Sequence, residues 1–209
     1  MDIRVDLKAF EEQVQEIMQA PVLKGAAVFY GSSSIRIWGQ ERLERHMAPA
    51  PVLCHGIGGS CAEHMLYRYD ALIKPYAPKA LVWYCGSNDL ALGYTPEDAY
   101  ALTERVFAWT HIDFPECRIL ILPVFHCRSR DALWPQYQAF NRALERYAKE
   151  RPWARTLDLA CLYHTDDGLI RDEIFQEDQL HLNDEGYERL QALVRPHVLE
   201  LMGLDDTSR

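Results

Sequence analysis

Two short stretches, far apart in the chain, carry the side-chain types that nucleophilic catalysis needs. Ser33 stands in a run of three serines, Ser32 to Ser34, directly after an apolar segment and a glycine. Asp178 and His181 are three residues apart, so a single turn can hold a carboxylate beside an imidazole. A serine hydroxyl attacks a carbonyl only when a base takes its proton and a third group orients that base. Ser33, His181 and Asp178 are therefore the candidate nucleophile, base and orienting acid.

The same chemistry needs hydrogen-bond donors aimed at the negative oxygen that develops on the attacked carbonyl. Gly59 lies in a glycine-rich turn, where a backbone N–H can approach a ligand closely. Asn88 follows another apolar segment and offers a side-chain amide. The predicted oxyanion hole therefore consists of the N–H groups of Ser33 and Gly59 and the side-chain amide of Asn88.

Each of these residues also has a purely structural interpretation. Serine is a common helix N-cap, and Asn88 could cap the turn in which it lies. Gly59 could serve only to turn the backbone, or its turn could cradle a phosphate, although the third glycine of a dinucleotide fingerprint is missing. Asp178 and His181 could form a surface pair in front of a helix that Asn183 caps.

Apolar segments that alternate with amphipathic segments predict the elements that hold these residues. Strands are expected at 26–30, 52–54, 79–85, 118–122 and 154–159. Helices are expected at about 5–20, 41–47, 60–75, 95–112, 133–149 and 184–202. The alternation predicts a single three-layer α/β/α domain over residues 1–209, built on a five-stranded parallel sheet. Right-handed crossovers and a strongly apolar third strand favour the flavodoxin-like strand order 2-1-3-4-5.

In that topology the ends of the first three strands lie together at one edge of the sheet, where open α/β sheets bind ligands. The candidate nucleophile and the two other oxyanion donors would therefore meet in space. The loop after the fourth strand reaches the same edge, so His126, Arg128 and Arg130 could flank the site.

Four sequence blocks, in this order along the chain, resemble those of the SGNH (GDSL-type) hydrolase superfamily. They are Gly31-Ser32-Ser33, Gly58-Gly59, Gly86-Ser87-Asn88-Asp89 and Asp178-Gln179-Leu180-His181. The resemblance matches Ser33 to the nucleophile, Gly59 and Asn88 to the oxyanion hole, and Asp178 and His181 to the acid and base. The first block usually contains an aspartate where this chain has Ser32. The serine form resembles that of members similar to platelet-activating-factor acetylhydrolase catalytic subunits.

The resemblance implies a serine hydrolase that cleaves carboxylic esters with a short acyl group, such as acetyl. It implies that the partner is a small-molecule ester and that neither a metal nor an organic cofactor is needed. Two other functions stay open: a thioesterase or lysophospholipase with the same triad, and a catalytically silent binding protein with the same fold. The sequence also leaves the formation of a homo-oligomer open.

Composition narrows the class of protein further. The chain has 209 residues and a net charge of −9, which argues against a general nucleic-acid partner. No apolar run approaches the roughly 18 residues of a membrane span, and the N-terminus lacks a signal-peptide pattern, so a cytoplasmic location is expected. The six cysteines include no C-x-x-C pair, which predicts reduced thiols rather than a zinc site or a disulfide framework.

Overall fold

The five apolar segments form the strands of one parallel sheet. A computed structural model describes residues 3–205, and its sheet has the order β2-β1-β3-β4-β5. The predicted strand order is therefore confirmed, and the third strand is the central one. The strands are β1 (Ala27–Gly31), β2 (Val52–Gly56), β3 (Ala80–Tyr84), β4 (Arg118–Ile121) and β5 (Ala154–Thr156).

Helices connect the strands and cover both faces of the sheet. They are α1 (Glu11–Gln19), α2 (Ser33–Trp38), α3 (Gln40–Met47), α4 (Ala62–Leu72), α5 (Ser87–Ala91), α6 (Pro96–Asp113), α7 (Trp134–Lys149), α8 (Ala160–Tyr163) and α9 (Asp184–Met202). Short 3₁₀ helices occupy Lys74–Tyr76, Arg128–Leu133 and Asp172–Ile174.

Alternate residues of each strand enter two separate hydrophobic cores. In β1, Val28 and Tyr30 pack with side chains of α1, α4, α6 and α7, whereas Ala27 and Phe29 pack with side chains of α2, α3, α8 and α9. Every residue of β1 and β3 is buried, which explains why both strands are continuous apolar runs without alternation. The result is the predicted three-layer α/β/α arrangement.

The first three strands end at the same level. Gly31 pairs with Gly56 at the end of β2 and with Tyr84 at the end of β3. The chain segments that follow these three strands therefore leave the sheet side by side. This register brings together the serine, glycine and asparagine loops identified in the sequence.

The N-terminal helix is shorter than the predicted 5–20, because it begins only at Glu11. Its N-cap residue, Phe10, has a left-handed backbone with φ of 66°, and Asp6 Oδ1 accepts a hydrogen bond from the Lys8 N–H over 3.0 Å. A side-chain to backbone bond of this kind favours a turn over a helix. The apolar spacing that predicted a longer helix comes from side chains in this turn.

Two other boundaries differ from the prediction for local reasons. The segment 60–75 ends its α-helix at Leu72, since Pro75 cannot donate the next backbone hydrogen bond, and it continues as a 3₁₀ helix. Strand β5 ends at Thr156 rather than at residue 159, and Asp158 Oδ1 accepts from Ala160 N–H at the start of α8.

Strand β2 lies at one edge of the sheet, and the side chain of Gln40 pairs with its backbone. Gln40 Nε2 donates to Val52 O over 2.9 Å, and Gln40 Oε1 accepts from Cys54 N–H over 2.8 Å. The amide of Gln40 therefore makes the two hydrogen bonds that a neighbouring strand would make at this position.

Candidate active site

The loop after β1 places Ser33 at the carboxyl edge of the sheet. A Cβ atom at Gly31 would overlap with the carbonyl of Tyr84 on the neighbouring strand, so only glycine fits there. The chain can therefore stay close to β3, where Ser32 N–H donates to Tyr84 O over 3.0 Å. Ser33 then begins α2, so its own N–H belongs to the first turn and has no acceptor within the helix.

His181 joins Ser33 to Asp178 through two hydrogen bonds. Ser33 Oγ and His181 Nε2 are 2.8 Å apart, and His181 Nδ1 is 2.6 Å from Asp178 Oδ2. When Nδ1–H donates to the carboxylate, the lone pair of Nε2 is left to accept the serine proton. The three residues predicted from the sequence are thus brought together in the order hydroxyl, imidazole, carboxylate.

Asp178 also shapes the loop that carries it. Its Oδ1 accepts hydrogen bonds from Leu180 N–H (2.9 Å) and His181 N–H (3.0 Å), and the intervening Gln179 has a left-handed φ of 53°. Burial by itself would raise the pKa of the Asp178 carboxyl, but the hydrogen bonds from His181 and Leu180 outweigh burial and lower the pKa below its ordinary value. The carboxylate therefore stays ionised beside the imidazole.

The segment around this loop is closed by a short hairpin. Phe175 and Leu182 form an antiparallel bridge, and Gln176 N–H donates to His181 O over 2.7 Å. Asn183 then caps α9 with its side-chain oxygen and donates from Nδ2 to Phe175 O. The predicted cap at Asn183 is confirmed, and it coexists with the contact between His181 and Ser33.

Asn88 extends from α5, directly after β3, with hydrogen bonds at both ends of its amide. Asn88 Nδ2 donates to Ser60 O over 2.9 Å, and Asn88 Oδ1 accepts from Arg130 Nη2 over 3.0 Å. An amide nitrogen carries two N–H donors, so one is left for a ligand. The turn-capping alternative accounts for neither of these long-range contacts.

Gly59 lies one residue before Ser60 and adopts a left-handed φ of 82°, which suits glycine. Its N–H donates no hydrogen bond to any residue between 3 and 205. Gln13 of α1 holds the preceding peptide at both ends: Gln13 Oε1 accepts from Gly58 N–H (2.8 Å), and Gln13 Nε2 donates to Gly58 O (3.3 Å). The Phe10 ring packs so closely that a Cβ at Gly59 would lie 3.1 Å from it.

A small cavity opens beside the Ser33 hydroxyl. Its enclosed volume is about 10 Å³, room for roughly one water molecule, and about 310 Å³ when the solvent space at its mouth is included. Three of the five candidate residues line it, namely Ser33, Asn88 and His181, and Arg130 lines it with them. Neither Asp178 nor Gly59 is part of the lining. A larger cleft of about 700 Å³ lies between α7 and β5, and none of the candidate catalytic residues lines it.

Of the three residues expected to flank the site from the loop after β4, only Arg130 lines the cavity. His126 contacts Asp131 and His164 instead, at 2.7 Å and 2.8 Å, and Arg128 pairs with an exposed carboxylate on another loop. Arg130 is the one polar residue of this loop that reaches the candidate oxyanion donors.

Sequence reasoning missed two residues that support the site. Gln13 is an ordinary polar residue on an amphipathic helix, and its role depends on where α1 lies relative to the glycine turn. Ser87 belongs to the block Gly86-Ser87-Asn88-Asp89 without an assigned role, yet its hydroxyl accepts from Arg130 Nη1 over 2.5 Å and lies 2.9 Å from the Tyr137 hydroxyl. No periodicity or motif in the sequence signals either contact.

Asp89, the residue after Asn88, is fully buried behind the site. Burial raises its pKa to about 7, although a hydrogen bond from Ala62 N–H to Asp89 Oδ1, 2.9 Å long, works in the opposite direction. Asn88 and Asp89 thus hold the chain on either side of Cys61, one through Ser60 O and the other through Ala62 N–H.

Within residues 3–205 no three His, Cys, Asp or Glu side chains are grouped so that they could hold a metal ion. Over the same residues, no helix combines the length and apolar character that a membrane crossing requires.

A three-layer α/β/α fold with a hydroxyl, an imidazole and a carboxylate linked at the carboxyl edge of its parallel sheet is an arrangement that serine hydrolases use. The chain belongs to the GDSL-like lipase/acylhydrolase family, whose model matches residues 24–189. The matched range includes all five candidate catalytic and oxyanion residues. The resemblance to SGNH hydrolases stated from the sequence is therefore confirmed.

Individual relatives agree with this family. The chain is 24% identical over 182 residues to the human platelet-activating factor acetylhydrolase IB subunit alpha1, covering 85% of this chain and 77% of the human protein. Its fold matches a structure provisionally assigned as a platelet activating factor from Streptococcus pneumonia, with a TM-score of 0.81, 19% identity and 92% and 94% of the two chains covered. A GDSL-like lipase from Bacteroides thetaiotaomicron matches with a TM-score of 0.77, 16% identity and 93% and 99% coverage.

Proposed function

We propose that this protein is a serine esterase in which Ser33 is the nucleophile, His181 the general base and Asp178 the orienting acid. The observation that carries the proposal is the unbroken hydrogen-bonded chain from Ser33 Oγ through His181 to Asp178, with links of 2.8 Å and 2.6 Å. The lowered pKa of Asp178 supports a carboxylate that stabilises the imidazolium without taking its proton.

The chemistry runs in two halves. In the first, His181 Nε2 takes the proton of Ser33 while Oγ bonds to the ester carbonyl carbon, and the carbonyl electron pair moves onto oxygen. The tetrahedral intermediate then expels the alcohol, which receives the proton from His181. In the second half, water attacks the acyl-serine while His181 takes one of its protons. His181 then returns this proton to Ser33 Oγ as the carboxylic acid leaves.

The proposed oxyanion hole consists of the N–H groups of Ser33 and Gly59 and the free N–H of the Asn88 amide. Each supporting observation is a donor without an acceptor among residues 3–205: the first-turn N–H of α2, the unbonded N–H of Gly59, and the second hydrogen of Asn88 Nδ2. Gly59 does not line the cavity, and its proposed role rests on its unbonded N–H and on the contact of the next residue, Ser60, with Asn88.

The cavity supports a short acyl group, such as acetyl, as the preferred substrate part. The enclosed space beside Ser33 is only about 10 Å³, which favours a small group over a long acyl chain, because a long chain needs an extended apolar groove at the same place. The curated relatives carry the name acetylhydrolase, which points to the same acyl length.

A series of p-nitrophenyl esters from acetate to palmitate tests both parts of the proposal. We expect kcat/KM to be highest for acetate and to fall as the chain lengthens, because the cavity admits only the short acyl group. A preference for long chains would contradict the short-acyl specificity and favour the lysophospholipase alternative. Matched acetyl and palmitoyl thioesters, run beside the esters, test the thioesterase alternative.

Ser33→Ala tests the nucleophile. We expect this variant to lose turnover and also labelling by a fluorophosphonate, which reacts only with an activated serine. Ser34→Ala is the matched control one residue further along α2, and it should keep much of the activity and all of the labelling. A fully active Ser33→Ala variant, or equal losses in the two variants, would exclude Ser33 as the nucleophile. A wild-type protein that neither turns over nor labels would be the silent binding protein.

A further inference from the structure

We propose that Arg130 is a positioning residue that fixes the orientation of the Asn88 amide in the oxyanion hole. The inference rests on the proposed function, since it gives Asn88 the part of an oxyanion donor. It concerns a residue 42 positions away in the chain, whose guanidinium lies 3.0 Å from Asn88 Oδ1.

The Asn88 amide has two orientations that occupy nearly the same space, and only one serves the reaction. In the observed orientation Nδ2 donates to Ser60 O over 2.9 Å, and Oδ1 faces the guanidinium of Arg130. In the flipped orientation the amide oxygen would face the Ser60 carbonyl oxygen, and the NH₂ group would face the N–H donors of Arg130. Both contacts would then be repulsive, because a guanidinium has donors only and a carbonyl has acceptors only. Arg130 and Ser60 together therefore hold one orientation.

The hydrogen bond to Ser60 alone restrains the Asn88 amide less than the hydrogen bonds to Ser60 and Arg130 together. With Oδ1 left without a donor, rotation of the amide about its last side-chain bond would cost only the bond to Ser60 O, and terminal torsions of this kind are broad. The second Nδ2 hydrogen would then point away from the oxyanion for part of the time. By donating a charged hydrogen bond to Oδ1, the guanidinium also polarises the amide, and this makes the N–H groups of Asn88 stronger donors.

Arg130 is itself held firmly enough to act as an anchor. Its Nη1 donates to Ser87 Oγ over 2.5 Å, and Ser87 Oγ is 2.9 Å from the Tyr137 hydroxyl. The two nitrogens of one planar fork thus hold the neighbouring residues Ser87 and Asn88 together. Within residues 3–205 Arg130 forms no ion pair with a carboxylate, so its hydrogen bonds to these neutral acceptors are what hold it.

The backbone around Arg130 connects the oxyanion donors with the loop of the proposed base. Ser129 N–H donates to Gln179 O over 3.1 Å, between Asp178 and His181 in the chain, and Arg130 N–H donates to Cys127 O over 3.2 Å. Arg130 departs from helical geometry within its 3₁₀ segment, with φ of −126°. Residues 129 and 130 therefore contact the loop of the proposed base through the backbone of Ser129, and they contact Asn88 through the side chain of Arg130.

A double-mutant cycle between Arg130 and Asn88 tests the inference. Asn88→Ala removes one oxyanion donor, so we expect kcat to fall by about 10²–10³ with little change in KM. Arg130→Met should lower kcat by about 10–100-fold with KM changed less than twofold, since the donor remains but is misoriented for part of the time. The double variant should match Asn88→Ala within about twofold, because Arg130 has nothing left to position.

Two further variants separate a positioning role from a structural one. Arg130→Ala should recover part of its kcat in millimolar guanidinium, and Arg130→Ala combined with Asn88→Ala should recover none. Arg128→Ala is the matched control, because this neighbouring arginine is exposed, pairs with Asp172 and does not line the cavity. Its kcat should equal that of the wild type.

The outcomes distinguish this inference from the proposed function. Full activity of Ser33→Ala would overturn the proposed function itself. If Ser33→Ala and Asn88→Ala are impaired but Arg130→Met keeps the wild-type kcat, only the positioning role fails. It also fails if the loss caused by Arg130→Met multiplies that of Asn88→Ala, or if it appears mainly in KM, because Arg130 would then act directly on the substrate.

Discussion

The Asp178 carboxylate receives hydrogen bonds from two backbone N–H groups of its own loop and from the His181 imidazole. Oδ1 is occupied by the backbone donors, so only Oδ2 faces the imidazole. Because the two carboxylate oxygens have separate partners, the oxygen that contacts His181 is already fixed in the absence of substrate. It also means that the effect of changing the carboxylate to an amide can be worked out from the structure.

Asp178→Asn should lower kcat by on the order of 10³–10⁴ while the loop keeps its shape. The two backbone N–H groups require an oxygen at the position of Oδ1, so the NH₂ group of the asparagine must face His181 Nδ1. That contact favours the histidine tautomer with its proton on Nε2, which cannot accept the proton of Ser33. The measurement is kcat with p-nitrophenyl acetate, with circular dichroism to verify the fold.

Asp172→Asn serves as the control for that substitution, since Asp172 pairs with Arg128 on the surface and should not affect kcat. A second check is the combination of Asp178→Asn with His181→Ala. The double variant should be no slower than His181→Ala alone, because the two residues act as a unit. Unchanged kcat in Asp178→Asn would remove this carboxylate from the proposed mechanism.

At the scale of the elements, the strands and their order were predictable because local sequence patterns determine them. The strands were visible as buried apolar runs, and the strand order followed from handedness rules and from the apolar third strand. The residues predicted at the strand ends lie at one edge because β1, β2 and β3 end in register. The short helix α2 and the left-handed turn at Phe10 were not predicted, because α2 has only six residues and because the bond from Lys8 N–H to Asp6 Oδ1 forms a turn within an apolar spacing that resembles a helix.

The supporting residues of the site could not be predicted for the same reason. Arg130 contacts Asn88 across 42 positions of the chain, and Gln13 contacts Gly58 across 45. Each contact joins two parts of the chain that carry no common motif. Their positions depend on the packed fold, which local sequence patterns do not specify.

Helix α1 offers a test of support at a distance from the nucleophile. Gln13→Ala removes both hydrogen bonds to Gly58, so the following Gly59 N–H should be less well placed and kcat should fall by about tenfold, equivalent to one typical hydrogen bond. Gln15→Ala is the matched control on the same helix, because its side chain donates to the exposed Glu11 and, within residues 3–205, hydrogen-bonds to no residue of the glycine turn. If the two variants have equal kcat, α1 does not support the oxyanion hole.

At the scale of the whole molecule, the buried Asp89 makes stability depend on pH. Its pKa in the folded protein is raised to about 7 from an ordinary value of 3.8. Between these values the folded protein keeps a proton that the unfolded chain releases. Rising pH therefore favours the unfolded state across this window, and the effect levels off above pH 7.

Asp89→Asn isolates that contribution, because an asparagine keeps the oxygen that accepts from Ala62 N–H and carries no titrating proton. The free energy of unfolding of the variant, relative to the wild type, should increase from about pH 4 to pH 7 and then stay constant. Urea denaturation at pH 4.5, 6 and 8 measures the difference. A difference that is independent of pH would show that Asp89 does not titrate in this range.

The pairing of Gln40 with the backbone of β2 has a consequence for how the protein behaves in concentrated solution. An open sheet edge offers unpaired N–H and C=O groups on which a strand of another molecule can grow, and this is a common route to aggregation. One side chain here occupies the middle of that edge through Val52 O and Cys54 N–H. The opposite edge strand, β5, is only three residues long, so it offers few backbone groups with which a strand of another molecule could pair. Edge-to-edge polymerisation is therefore hindered at both ends of the sheet, by an amide at one end and by shortness at the other.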